Sequence, residues 1–193
     1  GAALLLGASF IWGVAFVAQT VGMDYVGPFT FSAVRCLLAA LALWIAARVL
    51  DKAGVGTHTK AENPVLWKYG VLLGAVLFVA VNLQQYALLY TTTAKAGFIT
   101  SLYIVLVPLF GVFLGQKVRP VIWVCVLLAM AGLYFLSIRS GFTISFGDFL
   151  VLLCAVAFAV QILIVGKVVN RVDCIRLCCI QCFTAGALSL IPL

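Results

Sequence analysis

The sequence predicts an all-α polytopic membrane protein of about seven transmembrane helices, in which a first five-helix repeat is followed by the first two helices of an inverted second repeat. Three observations carry that prediction. Of 193 residues, 66% are hydrophobic and only 9% charged, whereas a soluble domain usually carries about 25% charged residues. The apolar residues fall into seven runs that meet or approach the ~20 residues a helix needs to cross a ~30 Å hydrocarbon core. The sixth run restarts the pattern of the first. So few charges cannot build a surface facing water, so the outer surface faces lipid. In lipid every backbone polar group must be paired within its own segment, which makes each run a helix.

The predicted spans are Ala2–Val21, Phe29–Val49, Tyr69–Leu89, Ala96–Gly115, Val121–Ile138, Phe149–Val165 and Ile175–Leu193. The first lacks a basic leader and a clear cleavage site, so it reads as a span and not a signal peptide. Turn chemistry separates the spans: Gly27-Pro28, the polar stretch Asp51–Lys68 with Asn63-Pro64, Lys117–Pro120, Arg139–Gly141 and Asn170–Asp173. Both chain ends lie inside apolar runs, so the chain reads as cut, with helices 8 to 10 expected beyond it.

The net charge of +7 does not point to nucleic acid, because the basic residues sit between apolar runs and not on one solvated face. Counted by side, Arg48, Lys52, Lys60, Lys68, Lys117, Arg119, Lys167, Arg171 and Arg176 share one face of the membrane, against Lys95 and Arg139 on the other. The positive-inside rule puts the N-terminus in the cytoplasm. The expected location is the bacterial plasma (inner) membrane, with the lipid bilayer as partner.

Sliding the sixth and seventh spans onto the first two at an offset of 146 needs no gap: Leu4 falls on Leu150, Trp12 on Phe158, Arg35 on Gln181, Cys36 on Cys182 and Ala39 on Ala185. Five helices lie between the copies, so the second enters the membrane from the opposite face. Residues 1–140 form the first repeat and 147–193 the start of the second. Secondary transporters are often built this way, with the solute site at the midplane between repeats.

Several embedded residues could line such a site. Arg35 follows Pro28 by seven positions, ~10 Å along its helix, where a charge costs about 2.5–3.5 kcal/mol. It either anchors an anionic solute or gate partner, or it snorkels outward and pairs with Asp24. Asn82, Gln85 and Tyr86 share a face, beside Gln84; they serve as cavity lining or as interhelical bonds. Trp12, Phe16 and Gln19 form one stripe, with Phe158 and Gln161 in the sixth span; this is a pocket for an amphipathic solute or ordinary packing. Thr100 and Tyr103 join the candidate lining from the fourth span, where Pro108 could mark a hinge. Lys95 sits at that span's outer edge, a solvated end or a solute contact. The pairs Gly70/Gly74, Gly97/Ser101 and Gly111/Gly115 suit close helix approach.

The seven cysteines form no disulfide framework. Cys174, Cys178 and Cys182 share a helical face but stretch over ~12 Å by the helical rise, too far for one ion. No metal and no cofactor is expected.

The stretch Thr91–Pro120, TTTAKAGFITSLYIVLVPLFGVFLGQKVRP, together with SFIWGVAFVAQ, GPFTFSAVRCLLAAL and GDFLVLLCAVAFAVQILIVGK, resembles the EamA-like branch of the drug/metabolite transporter superfamily. The resemblance covers essentially the whole chain. It implies ten helices in two inverted repeats, cytoplasmic termini and a central solute cavity. It also implies a secondary carrier of a small metabolite or drug-like solute by alternating access. An intramembrane enzyme is disfavoured: there is no H-E-x-x-H, no G-x-S-x-G, and the single His58 has no paired ligand. A scaffold or assembly subunit without solute traffic is the alternative. A homodimer is left open.

Overall fold

The computed structural model describes residues 2–54, 63–115, 120–138 and 145–192. His58 and the basic residues Lys60, Lys117, Arg119 and Arg139 lie outside the described residues. Within them the chain forms eight helical segments and no strand: α1 (Ala2–Gly22), α2 (Pro28–Lys52), α3 (Asn63–Ala87), α4 (Thr93–Thr100), α5 (Tyr103–Phe113), α6 (Pro120–Ile138), α7 (Phe146–Val168) and α8 (Cys174–Ser189). Five stretches are long and apolar enough to cross a membrane, with α4 and α5 together making one of them, Thr93–Phe113. The chain is an all-α polytopic membrane protein.

Helix starts follow local chemistry that hydropathy alone does not register. Pro28 opens α2 at a position whose N–H would be unpaired anyway. Asn63-Pro64, read from sequence as part of a break, instead begins α3, six residues before the expected Tyr69. Ser145 caps α7 in a reciprocal box: its hydroxyl accepts from the Asp148 N–H at 3.2 Å, and the Asp148 carboxylate accepts from the Ser145 N–H at 2.9 Å. Asp173 caps α8 by accepting from the N–H groups of Ile175 and Arg176.

The fourth span is not continuous. It breaks at Ser101–Leu102, and the break does not fall at Pro108, which stays inside α5. The Thr100 and Ser101 hydroxyls donate back to the carbonyls of Ala96 (2.7 Å) and Gly97 (2.8 Å). Such back-bonding bends a helix by competing for carbonyl acceptors.

Helix α3 is the spine, packed against α2, α7 and α8, and α8 also lies along α2. Glycines make these approaches close. A Cβ on Gly74 would come within 2.9 Å of the Gln181 carbonyl, and one on Gly186 within 2.8 Å of the Leu37 side chain. Buried apolar clusters follow the spine: Leu66, Leu73, Val168, Val172 and Leu177 near one end, Cys36, Val81 and Ala185 in the middle, and Phe16, Ala87, Leu88, Ala96, Leu150 and Val151 near the other. By contrast, α1 leaves Leu4, Leu5, Leu6, Phe10 and Ile11 exposed, as a helix facing acyl chains does.

The contacts fix two relative directions. The end of α1 meets the start of α4 through Thr20 and Thr93, whose hydroxyls are 2.8 Å apart. The start of α7 meets the same turn through Thr91, which donates to Asp148 at 2.5 Å. Thus α1 runs toward this end of the bundle and α7 runs away from it. Likewise α2 and α8 are antiparallel, because Arg176 at the start of α8 pairs with Asp51 at the end of α2, while Gly186 lies at Leu37.

Candidate functional site

A cavity of about 480 Å³ opens between α1, α2, α3 and α7. Helical periodicity supplies its walls. Ala8, Trp12, Ala15 and Gln19 come from one face of α1, Leu77, Val81 and Gln84 from one face of α3, Arg35 from α2 and Phe158 from α7. Trp12, Gln19, Arg35 and Phe158 are therefore brought together. Tyr103, the first residue of α5, stacks on Trp12 with ring centroids 6.5 Å apart, and Phe158 meets Trp12 edge to face at 6.2 Å. Tyr103 and Phe158 lie 6.4 Å apart, completing an aromatic triad beside the break that separates α4 from α5.

The polar groups differ in how well they are satisfied. The Gln19 side chain is buried, and its Oε1 finds no hydrogen-bond partner among the described residues; the same holds for Oε1 of Gln85 and of Gln161. Gln85 donates to the Gln19 carbonyl at 3.3 Å. Gln84 donates to the Thr100 hydroxyl at 3.0 Å, joining the cavity wall to the kinked helix. Arg35 is half-buried, with its guanidinium 5.9 Å from the centre of the Phe31 ring. No ion pair joins it to Asp24 or to another carboxylate among the described residues.

Other candidates stand elsewhere. Phe16 belongs to the buried cluster with Ala87, Leu88 and Leu150. Asn82 donates to the Ser189 hydroxyl and to the Phe78 carbonyl, both at 2.8 Å, which makes it a bond between α3 and α8. Tyr86 shares a hydroxyl contact of 3.1 Å with Tyr90 and stacks on Phe29. Gln161 is buried in α7 but does not line the cavity. Lys95 pairs with Asp148 at 3.6 Å. Gln84 is the wall residue that the sequence reading passed over in favour of Asn82, Gln85 and Tyr86. Its spacing from Leu77 and Val81, at i, i+4 and i+7, was the available signal. Cys179 and Cys174 donate to the carbonyls of Ala40 and Val169.

Residues 1–138 match the model of the EamA-like transporter family. A protein of Archaeoglobus fulgidus called an uncharacterized transporter is 35% identical over 161 residues, which cover 82% of this chain and 46% of that protein. The chain thus spans about half the length of the curated relative it matches. No solved structure matches it.

Proposed function

The chain belongs to the EamA-like transporter family, and we propose that it moves a small metabolite or drug-like solute across the membrane as a secondary carrier, by alternating access and without enzymatic chemistry. The observation that carries this reading is the cavity in which four helices gather Trp12, Gln19, Arg35, Gln84 and Phe158. Its volume is that of a small-ligand site, and its mixture of aromatic faces with a few convergent polar groups suits an amphipathic solute. The rings take the apolar part and the amides of Gln19 and Gln84 the polar part. Arg35 takes an anionic group, which offsets the cost of holding a cation at that depth.

The motion is proposed to come from two inverted repeats, 1–140 and 147–193, rocking about the cavity. The opposed directions of α1 and α7, and of α2 and α8, support this. So does one pair of residues related by the offset of 146 that lies side by side, Trp12 with Phe158. A two-fold axis in the membrane plane sets residues on it against their own counterparts. The proposed orientation keeps the N-terminus in the cytoplasm, supported by Arg48, Lys52, Lys68, Lys167, Arg171 and Arg176 at one end of the bundle. At the other end, Thr20–Thr93, Thr91–Asp148 and Lys95–Asp148 hold α1, α4 and α7 together. These few polar contacts are proposed as the outer gate.

A thermal-shift screen of the full-length protein against anionic and neutral solutes tests the site. An anionic ligand should raise the melting temperature of the wild type, and Arg35→Ala should lose that rise. If every anionic solute shifts both proteins equally, Arg35 is not the anchor.

A further inference from the structure

We propose that the groove between the end of α2 and the starts of α3 and α8 binds one anionic phospholipid, with Arg48 facing its phosphate. The groove encloses about 720 Å³ and is separate from the cavity of α1 and α7. Its length is apolar, with Leu41 and Phe183 more than half exposed, and two indoles, Trp44 at 50% and Trp67 at 59% exposure, stand at its charged end. Indoles gather at the headgroup level of a bilayer, where one edge is wet and the ring is not.

The charged end decides which lipid. Arg176 pairs with Asp51 at 2.8 Å, so that aspartate is committed. Arg48 stands 5.2 Å over the Trp44 ring and makes no ion pair among the described residues. Two arginines face one carboxylate in the lining, and Lys52 and Lys68 flank it in sequence. Among the described residues the site is therefore net positive at one end and apolar along the rest, the complement of a phospholipid with a net negative head. A zwitterionic lipid carries its own cation and gains less from Arg48. Basic pockets between spans on the positive side of a membrane protein bind anionic heads in this way.

The test is native mass spectrometry of the full-length protein in mild detergent, titrated with phosphatidylglycerol or with phosphatidylcholine of the same acyl chains. The wild type should retain phosphatidylglycerol more strongly, and Arg48→Gln should weaken that retention about fivefold, the worth of one basic residue near an anionic surface. Arg48→Lys keeps the charge and should retain most of the binding. Lys167→Gln removes the same charge on α7, outside the groove, and should change nothing. A melting temperature in phosphatidylcholine reports that each variant is folded. Equal retention of both lipids overturns the proposal, as does an Arg48→Gln variant that behaves like Lys167→Gln. A dimer peak that replaces the lipid-bound species assigns the groove to a second copy of the chain and overturns it too.

Discussion

Trp12 and Phe158 stand 146 positions apart in the chain, and their rings meet edge to face with centroids 6.2 Å apart. They hold the same place in the two proposed repeats, so their contact joins one repeat to the other at the cavity wall. Aromatic pairs in this geometry contribute about 0.5–1.5 kcal/mol beyond the area they bury. A double-mutant cycle of Trp12→Ala and Phe158→Ala, read by unfolding in detergent, should return a coupling in that range. A coupling near zero would mean that the rings are neighbours without joining the two halves.

Glycine positions separate close approach from open space. The Gly74 site faces the Gln181 carbonyl and Thr184 side chain of α8, whereas Gly97 has nothing within 4 Å of an added Cβ. Gly74→Ala must push α3 and α8 apart and should destabilise by about 1–3 kcal/mol. Gly97→Ala should be neutral or slightly stabilising, since alanine is the better helix former by about 1 kcal/mol. Thermal melts of the two variants side by side check this. Equal effects would place the α3–α8 contact elsewhere.

Asp148 has two tasks that substitution can part. Its carboxylate accepts from the Ser145 N–H as a cap and meets Thr91 and Lys95 across the turn between α3 and α4. Asp148→Asn keeps one acceptor oxygen, enough for the cap, turns an amide donor toward the Thr91 hydroxyl, and removes the charge that Lys95 faces. Asp148→Ala removes every acceptor and should cost about 1–3 kcal/mol. The asparagine variant should melt between the wild type and the alanine variant; asparagine and alanine variants that melt together would mean that the ion pair is the whole of its contribution.

The bond from Asn82 to Ser189 is a polar tie between α3 and α8. Interhelical hydrogen bonds in membranes average ~0.6 kcal/mol. A cycle of Asn82→Ala and Ser189→Ala should give about that coupling, and solute stabilisation should survive in Ser189→Ala. Loss of ligand response in Ser189→Ala would move this pair from packing into the solute site.

Five of the seven expected spans were legible because lipid leaves the backbone no alternative to helix, so apolar length marks the crossing; α8, at 16 residues, is shorter than the expected Ile175–Leu193. Their ends were less so. The Ser145 and Asp148 box lay in plain view, yet the flanking polar stretch read as loop, and α7 starts earlier than the expected Phe149. The break in the fourth span was hidden because Pro108 drew the hinge to itself. The carbonyls that bend the helix are contested by Thr100 and Ser101 instead. At the cavity, Trp12, Gln19, Arg35 and Phe158 could be named from depth and repeat position. Gln84 and Gln85 are adjacent amides on one helix; the spacing of Gln84 from Leu77 and Val81 puts these three on one face, and the placement of α1 and α2 against α3 makes that face the cavity wall.

Solute flux into vesicles holding the full-length protein bears most directly on the carrier reading. Protein-dependent uptake of a small amphipathic anion is expected, falling at least about tenfold in Arg35→Ala, as loss of a charged hydrogen-bonding partner worth about 1.5–3 kcal/mol implies. Lys167→Gln should transport normally. Flux that is absent for every solute the protein binds, or that is the same in Arg35→Ala as in the wild type, would contradict a solute path through the cavity of α1, α2, α3 and α7.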